Sequence, residues 1–273
     1  MAGTQDRSIL AFDEVTVRFD GRAVLDRVSF ELHRGESLVL VGEAGSGKTV
    51  LLKSALGLIK ADGGRIYLFG EDVTKAAEQQ WYGLRARMGV LFQEGGLFDS
   101  LSIEDNVAYP LLNQASLRCP EEELARRVEQ SLEFVELGHT LEKFPSELSG
   151  GMRRRVGIAR AIVTEPDLLL YDSPTAGLDP ITAATIMALI IKGRDVRRAT
   201  TVIVTHRYQD GEMLTRYRHD ASLGHVVPAA ANGSGPRTHY VALREGRIVF
   251  DGSQSEMEAA ADEYVANFVR RPG

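Results

Sequence analysis

Cysteine is nearly absent. Cys119 is the only one among 273 residues, so no intrachain disulfide can form, and the chain suits a reducing compartment. Long apolar runs are also missing. No stretch approaches the roughly 18 to 20 apolar residues of a membrane-spanning helix. Pro180 to Ile191 is uncharged, but Lys192 ends it. The first residues, Met1 to Leu10, carry Asp6 and Arg7 and no apolar core, which argues against a signal peptide. A soluble chain is expected, and any membrane work would borrow its span from another chain. There is no basic excess either. Lys and Arg number 32 against 38 Asp and Glu, a formal net charge of −6. Bulk charge therefore does not attract a polyphosphate backbone, and no nucleic-acid partner is expected. Any bound anion needs a local site. What remains, 44% hydrophobic and 26% charged, is an ordinary globular composition, and the length allows one large domain or two small ones.

Strands and helices alternate along the chain. Val15, Val17 and Phe19 alternate with Thr16 and Arg18 as in a half-buried strand, and Asp20-Gly21 then signals a hairpin. Short apolar runs at Ser37–Val41, Leu168–Tyr171 and Thr201–Thr205 are flanked by helical patterns, the first by Val50–Leu58. Such runs predict buried parallel strands in an α/β sheet. Tyr240–Leu243 and Arg247–Phe250 predict a hairpin around Glu245-Gly246, and Ser255–Val269 predicts one closing helix. From Gly95 to Thr164 the pattern turns helical, with Leu124, Val128, Leu132 and Val135 on one face of Glu121–Glu136, and a further helix over Ser149–Val163. Ala221 to Pro236 has no charged residue and is rich in Ala, Gly, Pro, Ser and Asn. It reads as a mobile loop.

Gly42-Glu43-Ala44-Gly45-Ser46-Gly47-Lys48-Thr49 has the spacing GxxxxGK[ST], directly after a strand and before a helix. Its glycines let backbone N–H groups turn toward phosphate oxygens, and the helix N-terminus adds partial positive charge. Lys48 can reach the β- and γ-phosphates, and the Thr49 hydroxyl can ligate Mg²⁺. A glycine-rich turn without ligand is the bland alternative. Asp172 ends an apolar strand, where a carboxylate suits a Mg²⁺ site beside such a loop. Taken alone, it is a strand-terminating Asp. Leu148-Ser149-Gly150-Gly151-Met152 opens a helix with a Ser cap and two glycines, a second candidate phosphate terminus. One nucleotide hardly needs two such termini from one chain, so the second suits a nucleotide held by another subunit. Arg153, Arg154 and Arg155 after it fit a solvated helical face.

In order, the phosphate loop, Gln93, the LSGG segment at 148–151, Asp172, Ala176-Gly177-Leu178-Asp179 and His206 resemble an ABC-transporter nucleotide-binding subunit over nearly the whole chain. The resemblance implies an α/β fold, a P-loop NTPase with a RecA-like core, an antiparallel β subdomain and a helical subdomain at about 95–164. The ATPase domain would cover about 9–254, with an inserted loop at about 220–238 and a C-terminal helix at 255–273. Phe19, in a position usually filled by tyrosine, would stack on adenine. Gly42 to Thr49 and Val50 would hold ATP. Thr49, Gln93 and Asp172 would hold Mg²⁺. Gln93 would also touch the attacking water and report to the transmembrane partner. Ser149, Gly150, Gly151 and Met152, with Asp179, would act on the ATP of the other protomer in a head-to-tail homodimer, and His206 would contact the γ-phosphate.

A narrower resemblance covers residues 91–102, 105–111 and 145–152, which are similar to the ATPase subunits of Mla-type transporters; Met152 replaces the commoner glutamine. It implies phospholipid or other lipid traffic across a bacterial envelope, integral permease subunits, an MCE-domain partner, and a place on the cytoplasmic face of the inner membrane. The alternative for the Gly-Gly-Leu-Phe stretch is a turn anchored by a buried Phe98.

Two positions depart from the family. Ser173 stands where glutamate usually polarises the attacking water. Serine has no carboxylate, and general-base help typically contributes about 10²–10⁴-fold. Slow hydrolysis is therefore expected, and a slow or nonhydrolysing ATP-dependent clamp is the alternative function. Arg207 to Thr238 is also longer than the usual connection, and a tolerated surface loop is favoured there over a docking element.

Overall fold

The alternation at Val15, Val17 and Phe19 belongs to a ten-residue strand, β1 (Leu10–Phe19), in a computed structural model that describes residues 8–93, 95–229 and 236–270. Asp20 and Gly21 both adopt positive φ, 49° and 79°. That is the backbone of a tight hairpin turn, and β2 (Arg22–Leu32) returns antiparallel to β1. With β4 (Gly63–Leu68) and β5 (Glu71–Asp72) they form an antiparallel sheet ordered β2-β1-β4-β5.

The second sheet is ordered β12-β11-β3-β8-β7-β6. Its members are β3 (Ser37–Val41), β6 (Met88–Leu91), β7 (Leu168–Asp172), β8 (Thr200–Thr205), β11 (Thr238–Arg244) and β12 (Arg247–Gly252). Strands β11 to β6 pair in parallel, and β12 adds an antiparallel edge. Every residue of β3, β7 and β8 is buried, as the continuous apolar runs require when both faces are covered. Alternate residues serve opposite faces. Leu38, Leu40, Leu168 and Leu170 join the core shared with α1 (Lys48–Ala55) and the antiparallel sheet, while Val39, Val41, Leu169 and Tyr171 join the other. The helix α2 (Glu78–Arg85) packs its Trp81 into the first of these cores.

The segment between β6 and β7 holds α3 (Ile103–Asn113), α4 (Glu121–Phe134) and α5 (Gly150–Ile162). Ser149 caps α5, accepting from the Met152 N–H at 3.2 Å. Gly89 in β6 lies so close to α5 that an added Cβ would sit 2.0 Å from the Ala161 carbonyl oxygen. Gly89→Ala must therefore push backbone against backbone. We expect a loss of about 3 kcal/mol or more in stability, read as a fall of several degrees in the melting temperature; an unchanged melt would show that β6 and α5 separate cheaply.

Two expectations need correction. The single helix over 255–269 is two, α8 (Gln254–Glu258) and α9 (Glu263–Arg270). The apolar period runs through both, but each begins at its own cap, and the second cap divides it. Ser253 Oγ accepts from the Glu256 N–H, and Asp262 Oδ1 accepts from the Val265 N–H at 3.0 Å. Met257, Val265 and Phe268 are buried in the chain's own core. Within the predicted loop at 221–236, β10 (His225–Pro228) pairs antiparallel with β9 (Tyr217–Asp220), and the hairpin rests on α6 (Pro180–Arg197). The Ala-, Gly- and Pro-rich composition concealed a strand whose partner β9 lies upstream, directly after α7 (Tyr208–Arg216). Residues 230–235, and 271–273 of the expected closing helix, lie outside the described residues.

Candidate functional site

Strand β3 delivers Gly42–Thr49 to the C-terminal edge of the parallel sheet, with α1 leaving from it. Two glycines are required there by space. A Cβ at Gly42 would meet Ser46 Oγ at 2.4 Å and the Leu243 carbonyl at 2.5 Å. Gly47 combines φ 107° with a Cβ position 2.7 Å from the Val24 carbonyl. The loop thus coils against β2 and β11. Lys48 Nζ donates to the carbonyls of Gly42 and Glu43, both at 2.7 Å. Burial lowers the Lys48 pKa, against the pull of Asp172 and Glu43.

A cavity of about 750 Å³ opens over this loop. Glu43, Ala44, Gly45, Lys48 and Thr49 line one side, and Gln93, Ser173 and His206 the other. These residues come from the ends of β3, β6, β7 and β8, four parallel strands that finish at one edge. Asp172 is buried behind Ser173, whose hydroxyl donates to its Oδ1 at 3.2 Å. Burial raises the Asp172 pKa, opposed by hydrogen bonds from Ser173 and Thr49 and by the charges of Lys48 and Lys53. Hydroxyl, carboxylate and amide oxygens meet here, a set that suits a hard divalent cation with phosphate oxygens completing its shell.

The LSGG residues lie elsewhere. Gly151 is pinned against the start of α6, where an added Cβ would fall 2.6 Å from Thr182 Cγ2. Asp179 caps that same helix, its Oδ1 accepting from the N–H groups of Ile181 and Thr182 at 3.0 Å. Ser149, Gly150, Gly151, Met152 and Asp179 therefore share one region of the surface, and none of them lines the cavity. Phe19, at the end of β1, is 46% exposed and also stands outside the cavity wall. Ser46, Gly47 and Val50 shape the loop and helix rather than the wall.

Several participants escaped sequence reasoning. Arg154 is buried rather than on a solvated face, and its Nη1 donates to the carbonyls of Pro174 at 2.7 Å, Ala176 at 3.1 Å and Ser173 at 3.3 Å. It ties the helix that begins with LSGG to the loop after Asp172. The Tyr264 hydroxyl accepts from the Glu43 N–H at 3.1 Å and donates to the Leu243 carbonyl at 2.8 Å. Phe268 reaches the cavity wall. Arg207 also lines the cavity. Only the position of Arg207 beside His206 was a signal available in the sequence.

A second cavity, about 350 Å³, lies next to Gln93 and is lined by Leu58, Val90, Phe92, Gly96, Phe98, Tyr109 and Arg160 among others. Phe98 is 41% exposed, its ring tilted against Tyr109 with centroids 4.5 Å apart. It is a wall of this groove and not a buried anchor. Its loop is held from behind, Asn106 accepting from the Phe98 N–H at 2.8 Å and donating to its carbonyl at 3.0 Å.

Comparison with known proteins agrees with this arrangement. The ABC transporter family matches residues 25–176. The chain is 39% identical to the intermembrane phospholipid transport ATP-binding protein MlaF of Escherichia coli strain K12, over 94% of this chain and 86% of that one. It is 40% identical to the probable ribonucleotide transport ATP-binding protein mkl of Mycobacterium leprae, over 70% of this chain. It spans only about half the length of that mycobacterial relative, 55%. Among solved structures, cbiO1 of Clostridium perfringens, part of the ABC transporter complex cbiONQ, superimposes with a TM-score of 0.75 at 27% identity, covering 96% of this chain and 94% of that one. A dimeric ATP-binding cassette in a post-hydrolysis state bound to ADP and Pi gives 0.73 at 26% identity, over 89% and 98%. The matched residues, the P-loop core and the helical segment together identify the chain as a member of the ABC transporter family, an ABC-type ATPase.

Proposed function

We propose that this chain is the ATP-hydrolysing subunit of a lipid transporter of the envelope-spanning, MCE-associated kind, working with phospholipid. The observation that carries the reading is the 39% identity to a phospholipid transport ATPase over 94% of the chain. Relatives of similar identity bear ribonucleotide and methionine names, so the match over nearly the full length is what weighs toward lipid. The P-loop would hold ATP, with Thr49, Gln93 and Asp172 around Mg²⁺, whose role is to neutralise phosphate charge. His206 would reach the terminal phosphate. Ser149 to Met152 and Asp179 would serve the ATP of a second copy, because they lie together and outside the chain's own cavity. No helix among the described residues is long and apolar enough to cross a membrane, so permease subunits would supply the span. The chain would sit on the cytoplasmic face of the inner membrane. The apolar groove beside Gln93 would receive a permease helix, and an MCE-domain protein would complete the assembly.

Purification of the tagged chain from membranes tests this. Co-purification of an integral permease and phospholipid is expected, and soluble partners alone would sink the reading. Phe98→Ala removes an exposed aromatic wall of the groove. It should lower permease recovery about tenfold or more, the weight of a buried aromatic anchor, while ATP binding stays within twofold. Equal recovery would place the permease elsewhere.

Ser173 favours a second reading, an ATP-dependent clamp that dimerises and hydrolyses little. Turnover separates the two.

A further inference from the structure

Arg207 has no part in the site as the sequence presents it, yet it lines the cavity between His206 and Tyr208. Its Nε is buried and has no hydrogen-bond acceptor among the described residues. Below it lies Asp210, 2% exposed. Asp210 Oδ2 accepts from Thr205 Oγ1 at 2.6 Å and from Thr175 Oγ1 at 2.7 Å. Its Oδ1 stands 3.9 Å from Arg207 Nε. Thr205 Oγ1 in turn accepts from the Arg207 backbone N–H at 3.0 Å. The carboxylate is thus fixed by two buried hydroxyls, one from each strand-end loop that flanks the cavity. Thr175 belongs to the loop that begins with Ser173, and Thr205 precedes His206.

The Arg207 side chain lines the cavity beside the phosphate loop, and its ion pair with Asp210 is long, 3.9 Å, so the guanidinium has charge to offer a second anion. Its planar fork matches phosphate oxygens two at a time, and its charge persists at all working pH. Asp210 commits its Oδ2 to two hydroxyls, and its Oδ1 stands beyond hydrogen-bond reach of Arg207. Ser173 offers no carboxylate on the facing side to capture it. Resting on the nucleotide reading above, we propose that Arg207 is a second cationic contact for the terminal phosphate of bound ATP, with Asp210 the residue that positions it. Phosphoryl transfer is catalysed mainly by placement and charge stabilisation. A cation at this point acts on the same step that Ser173 leaves without a base.

The test uses the full chain with Mg²⁺ and compares equilibrium affinities for ATP and ADP with steady-state kcat and KM. Arg207→Ala should weaken ATP about tenfold or more, the loss of a charged hydrogen bond, and lower kcat, while ADP affinity holds within twofold. Arg207→Lys should restore part of the ATP-to-ADP ratio, because the charge returns without the fork. Asp210→Asn should lower kcat with little change in ADP affinity, and Asp210→Glu should recover part of it. Melting curves of each variant exclude unfolding. An Arg207→Ala protein with the natural ATP-to-ADP ratio and kcat within twofold overturns the proposal. So does one that loses ATP and ADP alike, since the terminal phosphate is then not what Arg207 reads. A natural chain that binds neither nucleotide overturns the nucleotide reading itself, and this proposal with it.

Discussion

Ser173→Glu is expected to raise steady-state Mg-ATP turnover by about 10²-fold or more, within the usual 10²–10⁴ contribution of a general base. The backbone at this position is already set for the task. Ser173 sits at φ 48°, its N–H donates to the Val204 carbonyl at 2.7 Å, and its carbonyl accepts from Arg154 at 3.3 Å. A longer side chain would leave the same pinned Cβ into the cavity that Thr49, Gln93 and His206 share. The substitution has a cost. It removes the Ser173 hydroxyl from Asp172 Oδ1 and adds a second carboxylate beside a buried one, so a small loss in stability should accompany the gain in rate. The measurement is turnover of the natural chain and the variant side by side, together with ATP-driven dimerisation. If the natural chain binds ATP, dimerises and turns over slowly while the variant is fast, Ser173 makes it a slow switch. A natural chain already at about 1–10 s⁻¹, the range of ordinary enzymes, and no slower than the variant would mean that another group places the water.

The parallel strands were legible because burial on both faces leaves no room for alternation. Leu168–Leu170 and Val202–Val204 are apolar without a break and lie in neighbouring strands inside the sheet. The turn at Asp20-Gly21 was legible for a different reason, since few residue pairs accept two successive positive φ values. The phosphate loop was legible from spacing alone. What stayed hidden depends on contacts between distant segments. Nothing local marks Arg154 as buried among three arginines; the carbonyls of Ser173, Pro174 and Ala176 bury it. The division of the last helix depends on Asp262 acting as a cap, and β10 on its pairing with β9. Strand β6 has only four residues, too few for a period to emerge. The linkage from Thr175 through Asp210 to Thr205 joins three elements and has no signature in any one of them.

These tertiary contacts link the LSGG end of α5 to the cavity over the phosphate loop. Arg154 holds the loop 173–176 from the helix that starts at LSGG, and Asp210 holds the same loop from the His206 side. On the proposed dimeric reading, a displacement of Gly150 and Gly151 would therefore load the loop that carries Ser173. Such coupling requires an element with two arrangements, both biased by ligand. The loop between the two anchors is the segment of this chain that is touched from both sides.

Lys48→Ala is the other large effect. Its side chain is half-buried, and the ammonium makes two 2.7 Å bonds within the loop, to the Gly42 and Glu43 carbonyls. Those bonds hold the side chain across the base of the phosphate cradle, and a β- or γ-phosphate entering the cavity meets a cation already in place. Truncating one member of a buried charge pair costs about 2–5 kcal/mol, so ATP affinity should fall by about 30-fold to several thousand-fold. Part of any loss could come from the loop itself, since the two carbonyls lose their donor. Lys48→Arg separates the causes. It returns the charge, but a planar fork on a bulkier head cannot occupy the same point between two carbonyls and a phosphate. If phosphate contact is what Lys48 provides, both variants bind ATP weakly and melt within a few degrees of the natural chain. A Lys48→Ala protein that keeps MgATP affinity within threefold would instead mean that the loop's N–H groups hold the phosphates unaided, and that the cation serves only to brace Gly42 and Glu43.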